Sequence, residues 1–290
     1  MSVPEPPGLL FKHKDTQLLV AIGVAFAALS AGAGLLLDDG IAALVALTLL
    51  LVALVGLLLH LRRARQAENE HHLRHIQAVD WLHHTLSPHV PLPPLTGWAA
   101  SPELLCTLVD LIRRREPKRI LEAGSGASTL VMAYALAQTG RGRLVALDHL
   151  EAYAEQSARQ VAAHGLQDQA VVQHAPLRSQ QYDGPSWKWY DPDSLDEALD
   201  PKAPIDLLVI DGPPRETQPM ARYPALPAFF DRLSEDAVVV LDDARRADEQ
   251  RILKRWQDRY PSLDLEMRPS PKGTAVLYRK RASSTADSRH

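Results

Sequence analysis

Two long apolar runs dominate the hydrophobic pattern near the start of the chain. Residues 18–37 form 20 consecutive positions without a formal charge, and residues 41–59 form 19 more after a short acidic turn. About 20 apolar residues suffice for a helix to span a bilayer, so each run is long enough to cross one. A core helix or a signal sequence explains one such run but not two in succession. The pattern predicts a two-helix transmembrane hairpin over residues 18–60.

Charges around this hairpin predict its orientation. Basic residues precede the first run and follow the second, whereas the turn between them holds two aspartates and neither Lys nor Arg. The positive-inside rule then predicts a two-pass membrane protein with both termini and the catalytic part in the cytoplasm. The single cysteine, Cys106, excludes an internal disulfide and agrees with a reducing compartment.

Beyond the hairpin the chain changes character twice. Residues 62–86 read as a polar helix, and four prolines between positions 87 and 94 favour an extended connector. The predicted organisation is an N-terminal segment (1–17), the hairpin (18–60), a juxtamembrane helix and Pro-rich linker (61–100), a catalytic domain (101–280) and a disordered tail (281–290).

From residue 101 the pattern becomes strand, loop and helix in repetition, which is typical of an α/β fold. The predicted strands are 119–122, 143–147, 170–173, 205–210, 237–241, 263–267 and 274–278, and the predicted helices are 103–115, 129–138, 152–164, 224–233 and 248–260. This order predicts a doubly wound, mainly parallel, seven-stranded Rossmann-like sheet whose last strand is antiparallel. The long insertion over residues 176–204 is interpreted as an irregular, aromatic-containing loop.

In such a sheet the ligand lies beyond the carboxyl ends of the strands. The loop after the first predicted strand carries Gly124 and Gly126, and the second strand ends at Asp148, which suits a ribose. Thr129 replaces the third glycine of a dinucleotide fingerprint. Glu122, just before the loop, would repel a pyrophosphate but suits a cationic ammonium group. These features favour a methyl donor over a nicotinamide cofactor.

Three motifs resemble the class I S-adenosylmethionine-dependent methyltransferases: Glu-Ala-Gly-Ser-Gly-Ala-Ser at 122–128, Ala-Leu-Asp-His at 146–149 and Ile-Asp-Gly-Pro-Pro at 210–214. The resemblance implies S-adenosylmethionine (SAM) as cofactor, with the glycine loop holding its methionine part, Asp148 its ribose, and His174 and Ala175 near its adenine. The cofactor-binding residues expected on this basis are Glu122, Gly124, Ser125, Gly126, Ser128, Asp148, His149, His174, Ala175 and Asp211.

Acidic residues at the ends of the fourth and fifth predicted strands are similar to the metal site of the catechol O-methyltransferase-like branch. Asp211, Asp242 and Asp243 offer hard oxygen ligands that suit Mg²⁺ or another divalent cation. Such an ion would lower the pKa of a substrate hydroxyl. The alternative is that Asp243 caps the following helix while Asp242 faces solvent.

The general base remains open at this stage. The catechol enzymes carry a lysine shortly after the first metal aspartate, whereas here Arg215 follows the Gly-Pro-Pro turn, and arginine does not deprotonate. The candidate bases are His149, Glu216 and Tyr223, and the candidate substrate-binding residues are Arg215, Arg222, Tyr223, Trp189 and Tyr190.

These features predict a membrane-anchored O-methyltransferase acting on a hydroxyl of a small-molecule, glycan or lipid-linked acceptor. The alternatives are a nicotinamide-dependent oxidoreductase on a similar sheet and a non-catalytic membrane scaffold. The net charge of -3 gives no footprint for nucleic acid. Small residues within the hairpin, such as Gly32 and Gly34, would permit either a homodimer or packing within one hairpin.

Overall fold

The computed structural model describes residues 21, 23–25, 28, 31–32, 38–95, 99–191, 194 and 203–280. Most of the first predicted membrane span, the N-terminal segment and the C-terminal tail lie outside the described residues. The chain divides into two compact units, Met1–His72 and Leu73–His290. The second unit contains the predicted catalytic domain.

Helix α1 runs from Asp39 to Leu86 without interruption. The expected separate helix beginning at residue 62 is therefore the continuation of the apolar helix, because no proline or glycine intervenes between residues 57 and 86. Pro88 follows immediately after the helix ends. Within the described residues, one segment, Ala43–Leu86, is long and apolar enough to cross a membrane, and its most apolar window has a mean hydropathy of 2.8.

The second unit is built on a seven-stranded sheet in the order β3-β2-β1-β6-β7-β9-β8. All neighbouring pairs are parallel except β7 with β9 and β8 with β9, so only β9 runs against the others. The doubly wound sheet and its antiparallel last strand are confirmed. The strands are β1 Arg119–Ala123, β2 Arg143–Asp148, β3 Ala170–His174, β4 Leu177–Gln181, β5 Ser186–Tyr190, β6 Ile205–Ile210, β7 Leu233–Leu241, β8 Leu263–Arg268 and β9 Thr274–Arg279.

Helices cover both faces of the sheet because successive side chains of a strand point to opposite sides. In β1, Ile120 packs into one buried apolar cluster and Leu121 into the other. Both are fully buried, as expected for a strand covered on two faces. The helices of this unit are α2 Pro102–Arg115, α3 Ala127–Thr139, α4 Glu151–Ala163, α5 Ala225–Phe229 and α6 Ala247–Arg259.

Two predicted elements are wrong in detail. The insertion over residues 176–204 is not irregular throughout, since β4 and β5 pair as an antiparallel hairpin whose alternating Trp187 and Trp189 are buried. The helix expected over 224–233 ends at Phe229 and continues as a 3-10 turn to Arg232, after which β7 begins four residues earlier than expected, at Leu233. The sequence of β4 is almost entirely polar and shows no alternation of apolar and polar residues, whereas β5 alternates over only five residues.

Candidate active site

A cleft of about 410 Å³ opens at the carboxyl ends of β1, β2, β6 and β7. Strand order reverses between β1 and β6, and ligands of doubly wound sheets bind at this switch point. Backbone bonds join the two loops there, since Ala123 O accepts from Asp211 N at 2.9 Å and from Gly212 N at 2.6 Å. The residues that line the cleft are Gly124, Ser125, Asp148, His149, Leu150, Tyr153, Tyr190, Asp211, Gly212, Pro214, Glu216, Arg222, Asp243, Arg246 and Lys272.

Gly124 allows the loops after β1 and β6 to approach closely. Its φ is +111°, and a Cβ at this position would lie 3.2 Å from the backbone nitrogen of Gly212. Other residues rarely adopt this φ, and the neighbouring atoms are backbone atoms that cannot rotate away. The glycine is therefore required by both the conformation and the contact.

Asp148 ends β2 and is held with its carboxylate at the cleft. Ser125 Oγ donates to its Oδ2 at 2.8 Å, and the backbone nitrogen of Leu150 donates to its Oδ1 at 3.0 Å. Ser125 Oγ also lies 2.9 Å from Ser157 Oγ, which links the glycine loop to α4. A carboxylate fixed in this way keeps lone pairs for the vicinal hydroxyls of a ribose.

Glu122 does not line the cleft, which corrects the predicted contact with the ammonium group of the cofactor. It is fully buried, and its carboxylate accepts hydrogen bonds from Ser128 Oγ and from Thr129 Oγ1, the latter at 2.6 Å. Burial raises its pKa to about 8, although the two hydroxyl donors act in the opposite direction. At neutral pH the group is mostly protonated, so it stabilises the start of α3 rather than presenting a charge.

This burial predicts a pH dependence that Glu122→Gln removes. The pKa in the folded state lies above the ordinary 4.5, so the folded chain binds more protons and its stability falls as the pH rises from 4.5 through 8. We expect the wild type to lose about 3.5 kcal/mol more than Glu122→Gln between pH 5 and pH 8. Urea unfolding at both pH values measures this difference.

Glu155→Gln is the matched control, because Glu155 is exposed on α4 and pairs with Arg159 at 3.1 Å. It should follow the wild type at both pH values. Equal pH dependence in Glu122→Gln and the wild type would contradict the assignment.

Tyr190 presents a buried polar atom to the cleft. Its hydroxyl is fully buried without a hydrogen-bond partner among the described residues, and it lies beside Gly212, where an added Cβ would approach to 2.4 Å. A buried hydroxyl normally has a partner, so this one is available to a bound molecule. Trp189, also predicted to contact substrate, instead packs in the core against Tyr190 and Phe229, with ring centroids 5.1 and 6.5 Å away.

Asp211, Asp242 and Asp243 converge as the sequence predicts, with one carboxylate oxygen from each lying within 4.8 Å of the others. Both alternative roles are wrong, because Asp242 is buried rather than solvent-facing and the Asp243 side chain does not cap α6. Burial raises the pKa of Asp211, and the neighbouring Asp242 carboxylate adds to the shift.

Arg222, which was predicted to bind substrate, lies inside this acidic cluster at the wall of the cleft. Its Nη2 donates to Asp211 Oδ1 at 3.3 Å and to Asp243 Oδ2 at 3.0 Å. The same nitrogen donates to Asp211 O at 2.6 Å, and Nη1 donates to Asp242 O at 3.0 Å. The carboxylates of Asp211 and Asp243 and the backbone oxygen of Asp242 thus already bond a protein cation, which does not fit an open site for a divalent ion.

The three candidate bases differ in their position relative to the cleft and in the direction of their pKa shifts. Tyr223 is buried, and its hydroxyl donates to Asp183 at 2.5 Å, with burial raising its pKa to about 12. Glu216 lines the cleft but is exposed, and hydrogen bonds from its own backbone and from Arg215 lower its pKa. His149 lines the cleft, and burial lowers its pKa, which keeps the imidazole neutral at pH 7. Of these three, His149 combines position with proton affinity suited to a base.

Other predicted residues lie off the cleft wall. Gly126, Ser128, His174 and Ala175 do not line it, and Arg215 is exposed beside Glu216 at 3.2 Å. Sequence reasoning missed Leu150, Tyr153, Arg246 and Lys272. The position of Lys272 near the cleft could in principle have been predicted from the sequence. The predicted antiparallel last strand starts beside the end of β7, and Arg245 N donates to Lys272 O at 2.9 Å.

Residues 121–244 match a family model described as a methyltransferase domain. The chain is similar to the SAH-bound methyltransferase PaMTH1 from Podospora anserina, with 16% identity, a TM-score of 0.48, and coverage of 70% of this chain and 88% of that one. It is also similar to the SAM complex of TomG, an O-methyltransferase of tomaymycin synthesis from Streptomyces achromogenes (20% identity, TM-score 0.46, coverage 69% and 86%). A third similar structure is the SAH complex of an O-methyltransferase from Bacillus cereus, with 18% identity, a TM-score of 0.47, and coverage of 70% of this chain and 91% of that one.

No curated protein matches the sequence. The family match covers the glycine loop, Asp148, β6 and the acidic cluster, which are the parts that build the cleft. Residues 121–244, which form most of the cleft, are therefore similar to a methyltransferase domain.

Proposed function

We propose that the cleft binds SAM and that the enzyme methylates a hydroxyl oxygen of an acceptor at the cytoplasmic face of a membrane. The observation that carries the proposal is the convergence of Gly124, Asp148 and Asp211 at the switch point of a methyltransferase sheet. Asp211 and Asp242-Asp243 at the ends of β6 and β7 are similar to the catechol O-methyltransferase-like branch, and this supports oxygen as the acceptor atom.

The residues of the cleft divide the work of methyl transfer between them. When bound, SAM supplies a methyl group attached to a sulfonium sulfur, and the neutral thioether is a good leaving group for in-line displacement. The glycine loop lets the backbone approach the ligand, and Asp148 accepts hydrogen bonds from the ribose hydroxyls. The hydroxyl of Tyr190 donates to an oxygen of the cofactor or acceptor. His149 takes the acceptor's proton as the new C–O bond forms and the S–C bond breaks.

His149→Gln tests this role for the imidazole. Loss of a general base typically costs 10²–10⁴ in rate, so we expect kcat to fall about 100-fold, with KM for SAM changed by less than about threefold. Initial rates with labelled SAM measure both constants. Tyr223→Phe is the control and should keep kcat within about twofold, because its hydroxyl is bonded to Asp183 away from the cleft. A normal kcat in His149→Gln would remove the imidazole from the mechanism.

Cations at the cleft favour an acceptor that carries an anionic group. Arg246 and Lys272 line the wall, and their side chains are 30% and 44% exposed. Arg215 stands beside the cleft with 66% exposure. A guanidinium and an ammonium reachable from solvent suit a phosphate or carboxylate on the acceptor. A phosphate-containing, lipid-linked hydroxyl compound combines this charge with attachment to a membrane.

The exposed apolar surface of α1 supports the membrane part of the proposal. Leu44, Leu51 and Leu58 are 64%, 60% and 57% exposed, and the apolar window holds no buried residue. Monomeric soluble proteins rarely leave so much contiguous apolar surface uncovered. Arg62, Arg63 and Arg65 follow the apolar stretch, and the positive-inside rule supports a cytoplasmic location for that end.

Alkaline carbonate extraction tests the anchor, because it strips peripheral proteins from membranes but leaves spanning helices. We expect the full chain to stay in the membrane pellet and a variant lacking residues 1–60 to be released. Release of the full chain into the carbonate supernatant would contradict a transmembrane anchor.

The acceptor chemistry is tested with methyl-labelled SAM, the full chain in detergent and a membrane lipid extract. We expect label in an organic-soluble anionic product whose fragmentation shows a methyl ether. Label on nitrogen or sulfur would contradict oxygen as the acceptor, and label confined to the aqueous fraction would contradict a lipid-linked substrate.

A further inference from the structure

The acidic cluster beside the cleft contains its own cation. The Arg222 guanidinium is 5% exposed and lies 3.3 Å from Asp211 Oδ1 and 3.0 Å from Asp243 Oδ2. Together with its bonds to the backbone oxygens of Asp211 and Asp242, it makes four hydrogen bonds to the same three residues that would ligate a divalent ion. A guanidinium in that position already bonds one carboxylate oxygen each of Asp211 and Asp243, two of the residues that an ion would need as ligands.

Two further cations complete the neutralisation of Asp243. Arg246 Nη1 lies 2.7 Å from Asp243 Oδ2, and Lys272 Nζ lies 3.7 Å from Asp243 Oδ1. Glu249 adds one carboxylate on the far side of Arg222, at 3.9 Å. Four carboxylates (Asp211, Asp242, Asp243 and Glu249) thus face three protein cations within one buried cluster. If all four were ionised, the excess would be a single negative charge.

We propose that Arg222 takes the place of a divalent cation in this cluster, so that methyl transfer by this chain needs no added metal. Mg²⁺ requires close octahedral contacts at about 2.0–2.1 Å, and it would have to displace a buried guanidinium to reach these oxygens. Arg222 keeps its charge throughout the physiological pH range, so the Asp211 carboxylate is held in place independently of ion supply. Arg222 is in this sense a positioning residue for the wall of the cleft.

The substitution of an ion by a guanidinium changes what the site can do. A metal with open coordination positions binds an acceptor oxygen and lowers its pKa. Arg222 offers no such position, because its Nη atoms are engaged with Asp211, Asp242 and Asp243. Activation of the hydroxyl then depends on a protein base, which is the role proposed above for His149. Only this consequence for the base rests on the proposed methyl transfer. The occupation of the cluster by Arg222 is tested by Mn²⁺ binding, which does not require activity.

Mn²⁺ is the probe, because the six-line electron paramagnetic resonance signal of the free ion disappears on binding. We expect the full-length wild type in detergent to leave Mn²⁺ free up to about 1 mM. Arg222→Met should bind one Mn²⁺ per chain at least tenfold more tightly, because it removes the cation bonded to both Asp211 and Asp243 and opens these carboxylates to the ion. Arg159→Met, which removes an exposed arginine of α4, is the matched control and should behave as the wild type.

Saturable binding of one Mn²⁺ by the wild type, lost in Asp243→Asn, would overturn the proposal. A folded Arg222→Met variant that binds no Mn²⁺ would also overturn it, because the guanidinium would then mask no cation site. If Arg222→Met does not fold, Arg222→Gln, which keeps part of the hydrogen bonding without the charge, replaces it with the same expectation. In the methyl-transfer assay, EDTA should leave the wild-type rate within about twofold. Loss of activity in EDTA that is restored by Mg²⁺ would contradict the proposal independently of the Mn²⁺ measurement.

Discussion

Replacing Asp148 with alanine is expected to weaken the binding of S-adenosylhomocysteine (SAH) about a thousandfold while the fold is retained. Asp148 offers a carboxylate at the cleft wall, and two hydrogen bonds from ribose hydroxyls to a charged group contribute roughly 4 kcal/mol in total. Isothermal titration with SAH measures the affinity of both proteins.

The partners of Asp148 also explain why the variant should fold. Alanine leaves the Leu150 amide and the Ser125 hydroxyl without their acceptor, but both are near the cleft and can bind water. Asp168→Ala is the matched control, because Asp168 is an exposed turn residue before β3. It should bind SAH as the wild type does. Unchanged affinity in Asp148→Ala would show that the ligand does not use this carboxylate, and unchanged cellular function would favour a scaffold role.

Gly124→Ala is expected to destabilise the domain by about 3 kcal/mol and to weaken SAH binding at least 100-fold. A φ of +111° costs a non-glycine residue about 1–3 kcal/mol. The added Cβ would also lie 3.2 Å from Gly212 N and 3.4 Å from the carbonyl carbon of Asp211. Relief of this contact separates the loops after β1 and β6, which together form the floor of the cleft. Urea unfolding and titration with SAH measure the two effects.

Gly165→Ala separates backbone strain from the close contact. Gly165 also has a positive φ, +66°, but a Cβ there would meet nothing within 4 Å. We expect a loss of about 1 kcal/mol in unfolding free energy and no change in SAH affinity. If both variants lose the same stability and keep their affinity, the close approach of the two loops does not shape the cofactor site.

The fold was largely predictable because the strands alternate with helices and are buried on both faces. Ile205–Ile210 is nearly all apolar, and the glycine loop marks the strand-to-helix turn that begins α3. The hairpin of β4 and β5 was missed, since β4 has a single apolar residue, Leu177, and therefore shows no alternation. Propensity also extended the helix before β7 too far, because packing of Leu233 into the core starts the strand early.

Within the site, the positions of the acidic residues were predictable, but their hydrogen-bond and ion-pair partners were not. Strand ends place Asp148, Asp211 and Asp243 at one edge of the sheet, which follows from topology alone. The sequence does not show that Glu122 turns inward to two hydroxyl groups. Nor does it show that Arg222 enters the acidic cluster, because that depends on the path of the chain between β6 and β7. Both properties arise from burial and from contacts distant in sequence.

Equilibrium dialysis of the full chain in detergent with radiolabelled SAM tests the central claim most directly. The cleft described above should bind one SAM per chain saturably, and SAH should displace the label whereas NAD should not. Absence of saturable SAM binding by the folded protein, or displacement of the label by NAD, would contradict the assignment of this cleft.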